Sequence, residues 1–177
     1  MTGLNELQRA QAVAELGVVE VGISSRGYET TLLEGTGSDV PELVVELGND
    51  ELDRARRLHM SYVPTDGGLE HTSLLQLHSP LPFAAGPEKL TEIRTAIAIV
   101  NEHIGIGRFG VHADGGLYFT YALAVPRLTM IDDDMIGELV SFVDFHQEHF
   151  GDYLEGVIED EVSVLVLDRV LGLQDSE

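Results

Sequence analysis

The clearest pattern in the chain is a helical repeat that begins shortly after Gly86. Pro87 suits the first turn of a helix, because a helix does not use the N–H groups of its first residues. Apolar side chains then recur at steps of three and four, which places them on one helical face. These residues are Leu90, Ile93, Ile97, Val100 and Ile104. The pattern predicts an amphipathic helix.

A β-hairpin is predicted directly after this helix. Phe109, Val111 and Ala113 alternate with other residues, and a second alternation runs over residues 117–125. A period of two is typical of strands with one buried face. Asp114-Gly115 between the two runs favours a tight turn, because both residue types tolerate positive φ.

The N-terminal half predicts one helix followed by several strands. Asn5 and Gln8 have the spacing of a capping box at the start of a helix over 4–16, which Gly17 is placed to end. Glu51 to Leu58 indicates a short helix. Turns or loops are predicted at 24–27, 35–39 and 64–68, and extended segments at 18–23, 28–33, 42–47, 71–77 and 79–83.

Two more helices are predicted after the hairpin. The aspartates at 132–134 suit a helix start, where free N–H groups and the helix dipole favour negative charge. This helix would carry an inward stripe that includes His146 and Phe150 and would end at Gly151. Residues 153–172 fit a C-terminal helix, although Val162 to Leu167 would also suit a strand; we interpret the segment as a helix.

This order of elements predicts an α+β fold with an antiparallel sheet flanked by helices, because helices and strands are segregated rather than alternating. No repeat, linker or low-complexity tract divides the 177 residues. We therefore predict a single domain over 1–177, with 153–172 as an additional C-terminal helix.

The charge composition of the chain limits the classes of molecule that we expect it to bind. The chain has 31 acidic and 10 basic residues and a formal net charge of −21. Such a surface repels phosphate backbones and anionic lipids, so we expect neither nucleic acid nor membrane as a partner, and basic or apolar protein segments suit it better. Strong acidity also serves solubility alone.

The cysteine content and the N-terminus of the chain favour one cellular compartment. The absence of cysteine excludes disulfides and thiolate zinc sites and fits a reducing cytoplasm. No basic region followed by an apolar run opens the sequence, so no signal peptide is expected. No apolar stretch approaches the roughly 20 residues that a membrane-spanning helix needs.

The sequence contains no recognisable catalytic motif. Gly105 to Gly110 spells G-x-G-x-x-G, but a helix precedes it and a strand follows, which is the reverse of the dinucleotide-binding order. Ser24 and Ser25 lack the G-x-S-x-G elbow. The aspartates at 132–134 lack the rest of a calcium loop. We therefore predict no catalytic residue and no cofactor.

The residues best suited to bind a metal ion in this sequence are histidines. His146 and His149 share a helical face with acidic neighbours, a spacing at which imidazole and carboxylate can bind a metal, but the ligand set is incomplete. Packed or solvated histidines are the alternative. The remaining histidines show no recognisable spacing and would form a site only by meeting in space: His59, His71, His78, His103 and His112.

The basic residues Arg54, Arg56 and Arg57 form the main cationic cluster. Against the acidic background, this cluster could receive a carboxylate or phosphate group. The alternative is that each arginine pairs with an acidic residue of the chain itself.

The stretch from Leu81 to about Leu154 resembles the YbjN family of bacterial proteins. The matching residues are Ile97, Val100 and Asn101 at a helix end, Arg108-Phe109, Asp114-Gly115-Gly116, the strand 117–123, and Phe142 and Phe145 in the next helix. The glycines at 105, 107 and 110 and the segment after Gly151 do not match. The resemblance implies the fold of type III secretion chaperones, a curved antiparallel sheet flanked by helices.

Proteins of that fold are usually dimers that hold extended protein segments, and the family is labelled a regulator of sensory transduction with no established enzyme activity. We therefore predict a non-enzymatic, cytoplasmic, chaperone-like regulatory module that binds protein segments as a homodimer. Leu81, Phe83 and Tyr118 are the candidates for partner contact, with a place in the core as their alternative. The alternative function is a small-ligand or metal-binding protein, or an unrecognised enzyme.

Overall fold

The computed structural model describes residues 5–35, 40–64, 69–127, 129 and 131–174. These residues form four helices and six strands. In chain order they are α1 (Glu6–Ser24), β1 (Glu29–Leu33), β2 (Glu42–Asn49), β3 (Ala55–Val63), β4 (Thr72–Ala84), α2 (Leu90–Glu102), β5 (Arg108–Val111), β6 (Gly116–Pro126), α3 (Asp133–Ile158) and α4 (Val164–Gln174).

All six strands form one open sheet in the order β1-β2-β3-β4-β6-β5, and every neighbouring pair is antiparallel. The predicted α+β class with an antiparallel sheet flanked by helices is therefore confirmed. The two longest strands, β4 and β6, pair with each other, and β6 lies between β4 and its own hairpin partner β5.

The two faces of the sheet have different environments. One row of directly opposed residues, which is largely buried beneath the helices, consists of Leu32, Leu43, Met60, Leu77 and Tyr121. Helices α1 and α3 supply the covering layer through buried residues such as Leu16 and Val140. No described helix covers the opposite face, which we call the open face. Its central row consists of Thr31, Val44, His59, His78, Thr120 and Arg108.

The local signals at several element ends are confirmed. Asn5 and Gln8 form the predicted capping box, with reciprocal hydrogen bonds of 3.0 and 2.9 Å. Asp132 caps α3 by accepting from the N–H groups at 134 and 135. The hairpin turns at Asp114-Gly115, where Gly115 has φ +94°.

The predicted strand at 18–23 is wrong, since these residues are the second half of α1. Gly17 does not end the helix. Leu16, Val19 and Ile23 are buried at helical spacing, so packing on the sheet outweighs the β-branched composition of this segment.

The short helix predicted at 51–58 is also wrong. Residues 50–53 form a tight turn in which the Asp50 carboxylate accepts from the N–H groups of Leu52 and Arg54. Strand β3 then begins at Ala55, and its buried residues alternate from Arg56 onward. The alternation of buried and more exposed residues along β3 is typical of a strand and not of a helix.

Gly151 does not end α3, which continues to Ile158 because its buried stripe extends through Leu154 and Val157. The predicted single helix over 153–172 is wrong in its bounds, because residues 153–158 belong to α3 and the separate helix α4 begins only at Val164 and passes through Gly172. The predicted extended segment at 79–83 is part of β4, and β5 stops before Ala113. Of the predicted loops, 36–39 and 65–68 lie outside the described residues.

Asn101 connects the end of α2 to strand β5. Its side chain accepts a 2.8 Å hydrogen bond from the N–H of Phe109 and donates a 3.1 Å bond to the carbonyl of the same residue. Phe109 is buried between the rings of Phe119 and Phe150. The amide of Asn101 therefore satisfies both backbone groups of a core residue.

We expect Asn101→Ala to lower the free energy of unfolding by about 1–3 kcal/mol, because both backbone groups of Phe109 lose their partner. Chemical denaturation measures the change. Glu102→Ala, an exposed position on the same helix end, is the control and should stay close to wild type. Equal stability of the two variants would contradict this role for Asn101.

Candidate functional site

Three of the scattered histidines meet on the open face. His59 and His78 are directly opposed on β3 and β4. The ring of His112 stacks on Tyr118 with centroids 4.4 Å apart, and Tyr118 lies 5.1 Å from the ring of His78. Nδ1 of His59 is 3.2 Å from the carboxylate of Glu42. We call this group the histidine cluster: His59, His78, His112 and Tyr118.

The electrostatics of the cluster centre on His78. Partial burial lowers the pKa of His78, and the neighbouring imidazoles of His59 and His112 lower it further, while Glu42 acts in the opposite direction. His78, His112 and Tyr118 line a shallow, open depression that Gln76 and Arg108 also border. His71 and His103 lie elsewhere, at the start of β4 and the end of α2.

The metal candidates His146 and His149 belong to an aromatic group on α3. His146 is 7% exposed, its Nδ1 lies 2.8 Å from the carbonyl oxygen of Phe142, and the two rings are 3.8 Å apart. His149 stacks parallel to Phe145. These contacts are packing contacts. Within the described part of the chain, no group of three or more histidine or acidic side chains is arranged to hold a metal ion.

The three partner-contact candidates lie on different surfaces. Leu81 is 7% exposed and belongs to the core on the helix side of the sheet. Phe83 is half-buried on that side, with the guanidinium carbon of Arg54 5.4 Å from its ring centre. Tyr118 lies on the open face, opposite Pro80 and Gly110.

Leu81 and Phe83 border a cleft that sequence reasoning did not anticipate. The cleft lies between the end of β4, the turn at 50–54 and helix α3, and has a volume of about 440 Å³. We call it the acidic cleft. Its lining is Asp50, Glu51, Arg54, Arg56, Leu81, Pro82, Phe83, Phe145, Gln147, Glu148, His149, Gly151, Asp152 and Glu155.

Both arginines of the cleft are already paired with carboxylates of this chain. Arg54 donates to both oxygens of Glu155 at 2.6 and 2.7 Å and through Nε to Asp50 at 2.6 Å. The hydrogen bonds to Glu155 make the largest contribution to raising the pKa of Arg54 beyond its usual range, and burial opposes them. This pairing favours the alternative that the basic cluster neutralises the chain's own acids.

Arg56 is the buried cation of the cleft, with 5% exposure. Its guanidinium lies 2.9 Å from Asp144 and 3.4 Å from Glu148 on α3. Burial raises the pKa of Asp144, although Arg56 opposes that effect. The third arginine, Arg57, pairs with Glu46 on the open face at 2.9 Å.

A buried polar chain attaches α3 to the middle of the sheet beside the cleft. Gln147 Nε2 donates to the hydroxyl of Ser79 at 2.6 Å, and that hydroxyl donates to the carbonyl of Arg57 at 2.5 Å. Oε1 of Gln147 is buried and has no hydrogen-bond partner among the described residues. Long-range contacts of this kind leave no signal in sequence spacing.

No protein-family model matches the chain, and no curated protein is significantly similar to it. Among the described residues, no helix is long and apolar enough to cross a membrane.

We expect acidification from about pH 7.5 to pH 6.0 to lower the contribution that His146 makes to the melting temperature, because the pKa of His146 is lowered in the fold. Burial is the main cause, the neighbouring His149 contributes, and the Phe142 carbonyl opposes both. The unfolded chain therefore takes up a proton near the ordinary histidine pKa of about 6.5 while the folded chain does not, so stability is lost as pH falls.

His146→Gln should show a smaller drop in melting temperature over the same pH interval. His71→Gln changes an exposed histidine and should behave like wild type. If His146→Gln loses as much stability on acidification as the control, His146 does not contribute to the pH dependence.

Proposed function

We propose that this chain is a non-enzymatic protein-binding module that acts as a homodimer, and that two copies meet through their open faces. The observation that supports this proposal is the sheet face that no described helix covers. Apolar side chains lie on it outside the core: Val44, Val63, Leu74, Tyr118, Ala122 and Ala124. These residues are interspersed with polar and charged ones such as Thr31, His59 and His78, and a mixed face of this kind is a surface that proteins commonly bury against a partner.

The charges of the open face favour a second copy as its occupant. Carboxylates lie at the β1–β2 side, in Glu29 and in Glu42 and Glu46, which contact His59 and Arg57 of β3, whereas Arg108 and His112 lie at the β5–β6 side. A two-fold axis parallel to the strands would place the acidic side of one copy over the basic side of the other. Such a pairing is self-complementary despite the net charge of each chain.

The size of the face is also adequate. Six strands spaced by about 4.8 Å and several residues long give a face of roughly 700 Å² per copy. Two copies would bury about 1,400 Å² in total, within the range of specific protein interfaces.

The regulatory, chaperone-like role and the bacterial cytoplasm as its location rest on the resemblance to the YbjN family and on the lack of cysteine. The proposal that the chain is not an enzyme is supported by the role of Arg54, whose pKa is raised chiefly by its hydrogen bonds to Glu155 in an ion pair that joins two elements of the fold. We propose segments of other proteins as the further partners.

A small-ligand site at the histidine cluster is a second candidate, favoured by the meeting of His59, His78 and His112. It predicts that inorganic phosphate, an anion that imidazole groups and the neighbouring Arg108 can bind, raises the melting temperature of the wild-type chain but not of His78→Gln. No response to phosphate in either protein would count against this candidate and leave the dimer proposal unaffected.

We expect light scattering at micromolar concentration to give a mass of about 38.6 kDa, twice the 19.3 kDa of one chain. Leu74→Glu should shift the mass towards the monomer, because it buries a carboxylate within the proposed interface. Leu165→Glu, on an exposed position of α4, is the matched control and should remain dimeric. A wild-type monomer, or a Leu74→Glu dimer, would contradict the proposal.

Charge reversal tests the orientation of the two copies. Arg108→Glu should weaken dimerisation, because it places a carboxylate over the acidic side of the partner. Adding Glu29→Lys to this variant should restore affinity. If the double variant is weaker than Arg108→Glu alone, the proposed two-fold axis is wrong.

A further inference from the structure

The acidic cleft combines an apolar wall with carboxylates. Leu81, Pro82 and Phe83, at the end of β4, form one side of it. Phe145 lines the cleft from α3, is 56% exposed, and stacks parallel to His149 with centroids 5.4 Å apart. A large aromatic ring this exposed beside a cleft is a surface suited to the aliphatic or cationic part of a ligand.

The charges of the cleft are unbalanced. Five carboxylates line it, in Asp50, Glu51, Glu148, Asp152 and Glu155, against the guanidinium groups of Arg54 and Arg56. Arg54 is paired with Asp50 and Glu155, and Arg56 is shared between Asp144 and Glu148. No described cation is paired with Glu51 or Asp152 within the cleft.

The pKa of Asp152 is raised by burial and by the negative charges of the cleft. Desolvation raises its pKa most, and the carboxylates of Glu51, Glu155, Glu148 and Asp50 raise it further. A ligand cation would relieve this repulsion.

Gln147 adds an independent sign of an incomplete site. It lines the cleft, is 4% exposed, and its Oε1 lacks a hydrogen-bond donor among the described residues. Native structures rarely leave a buried acceptor without a donor, so this atom adds to the polar groups around the cleft that are not fully satisfied.

We infer that the acidic cleft binds a lysine or arginine side chain of a partner protein segment, with flanking apolar residues on the segment. The cationic head would lie between Glu51 and Asp152, and its aliphatic stem would lie on Phe83 and Phe145. The inference rests on the proposed protein-binding role but not on the dimer, because the cleft is on the helix side of the sheet.

A segment fits the cleft better than a free metal ion does. The carboxylates are accompanied by aromatic and aliphatic surface, which a metal ion cannot use. No described group of three or more histidine or acidic side chains there has a metal-binding arrangement.

Fluorescence anisotropy with labelled synthetic peptides tests the inference. A short peptide of alternating lysine and leucine should bind the wild-type chain, whereas a peptide with glutamate in place of lysine should not. A lysine–serine peptide of equal charge should bind at least several-fold more weakly, because it lacks the apolar contacts. Equal binding of the two lysine peptides would overturn the inference in favour of general charge attraction.

Paired variants localise the binding. Glu51→Gln with Asp152→Asn removes the two unbalanced carboxylates and should weaken binding of the lysine–leucine peptide by at least tenfold. Glu138→Gln with Asp168→Asn makes the same charge change at exposed positions outside the cleft and should bind like wild type. Phe145→Ala should weaken binding without changing net charge. Equal affinity of the two double variants would overturn the inference.

Competition with spermidine separates a segment from a small cation. Displacement of the peptide by an equal concentration of spermidine would overturn the segment proposal. Light scattering on the same samples keeps the dimer question separate, because the Glu51→Gln, Asp152→Asn variant should retain the wild-type mass. A monomeric wild type that still binds the peptide at the cleft would refute the dimer alone.

Discussion

Successive side chains of a strand point to opposite faces of the sheet, so each one lies either beneath the helices or on the open face. Leu43, Met60 and Leu77 lie in one row and are buried beneath helices, while their neighbours Val44, His59 and His78 lie in the next row on the other side. A shift of register by one residue would exchange the two sets. The same constraint that builds the core therefore also creates the open face and brings its histidines together.

The charged side chains are unevenly distributed over the fold. The chain has few cations, and several of them are held in ion pairs that join elements, such as Arg54 with Glu155, Arg26 with Asp134 and Lys89 with Asp160. Ion pairs between described residues hold five of the ten basic residues, Arg26, Arg54, Arg56, Arg57 and Lys89, and the 31 acidic residues far outnumber the cations of the chain. Where carboxylates adjoin apolar surface, as in the acidic cleft, the fold offers a surface suited to a cationic protein segment.

Sequence reasoning succeeded where the signal was local. The capping box of Asn5 and Gln8 and the turn at Asp114-Gly115 depend on residues close together in the chain, and both are present. It failed at 18–23, where burial of Val19 and Ile23 in α1 outweighs β propensity.

The sites depended on long-range contacts that spacing cannot show. His59 faces His78 only because β3 and β4 pair in this register, and Arg56 reaches Asp144 across a large separation in sequence.

The central claim is that a second copy covers the open face, and the absence of native cysteine allows a direct test. The alkylation rate of a single cysteine at Ala122, on the open face, should fall as protein concentration rises, while a cysteine at Leu165 on α4 should react at a constant rate. A rate at Ala122 that is independent of concentration would contradict the account.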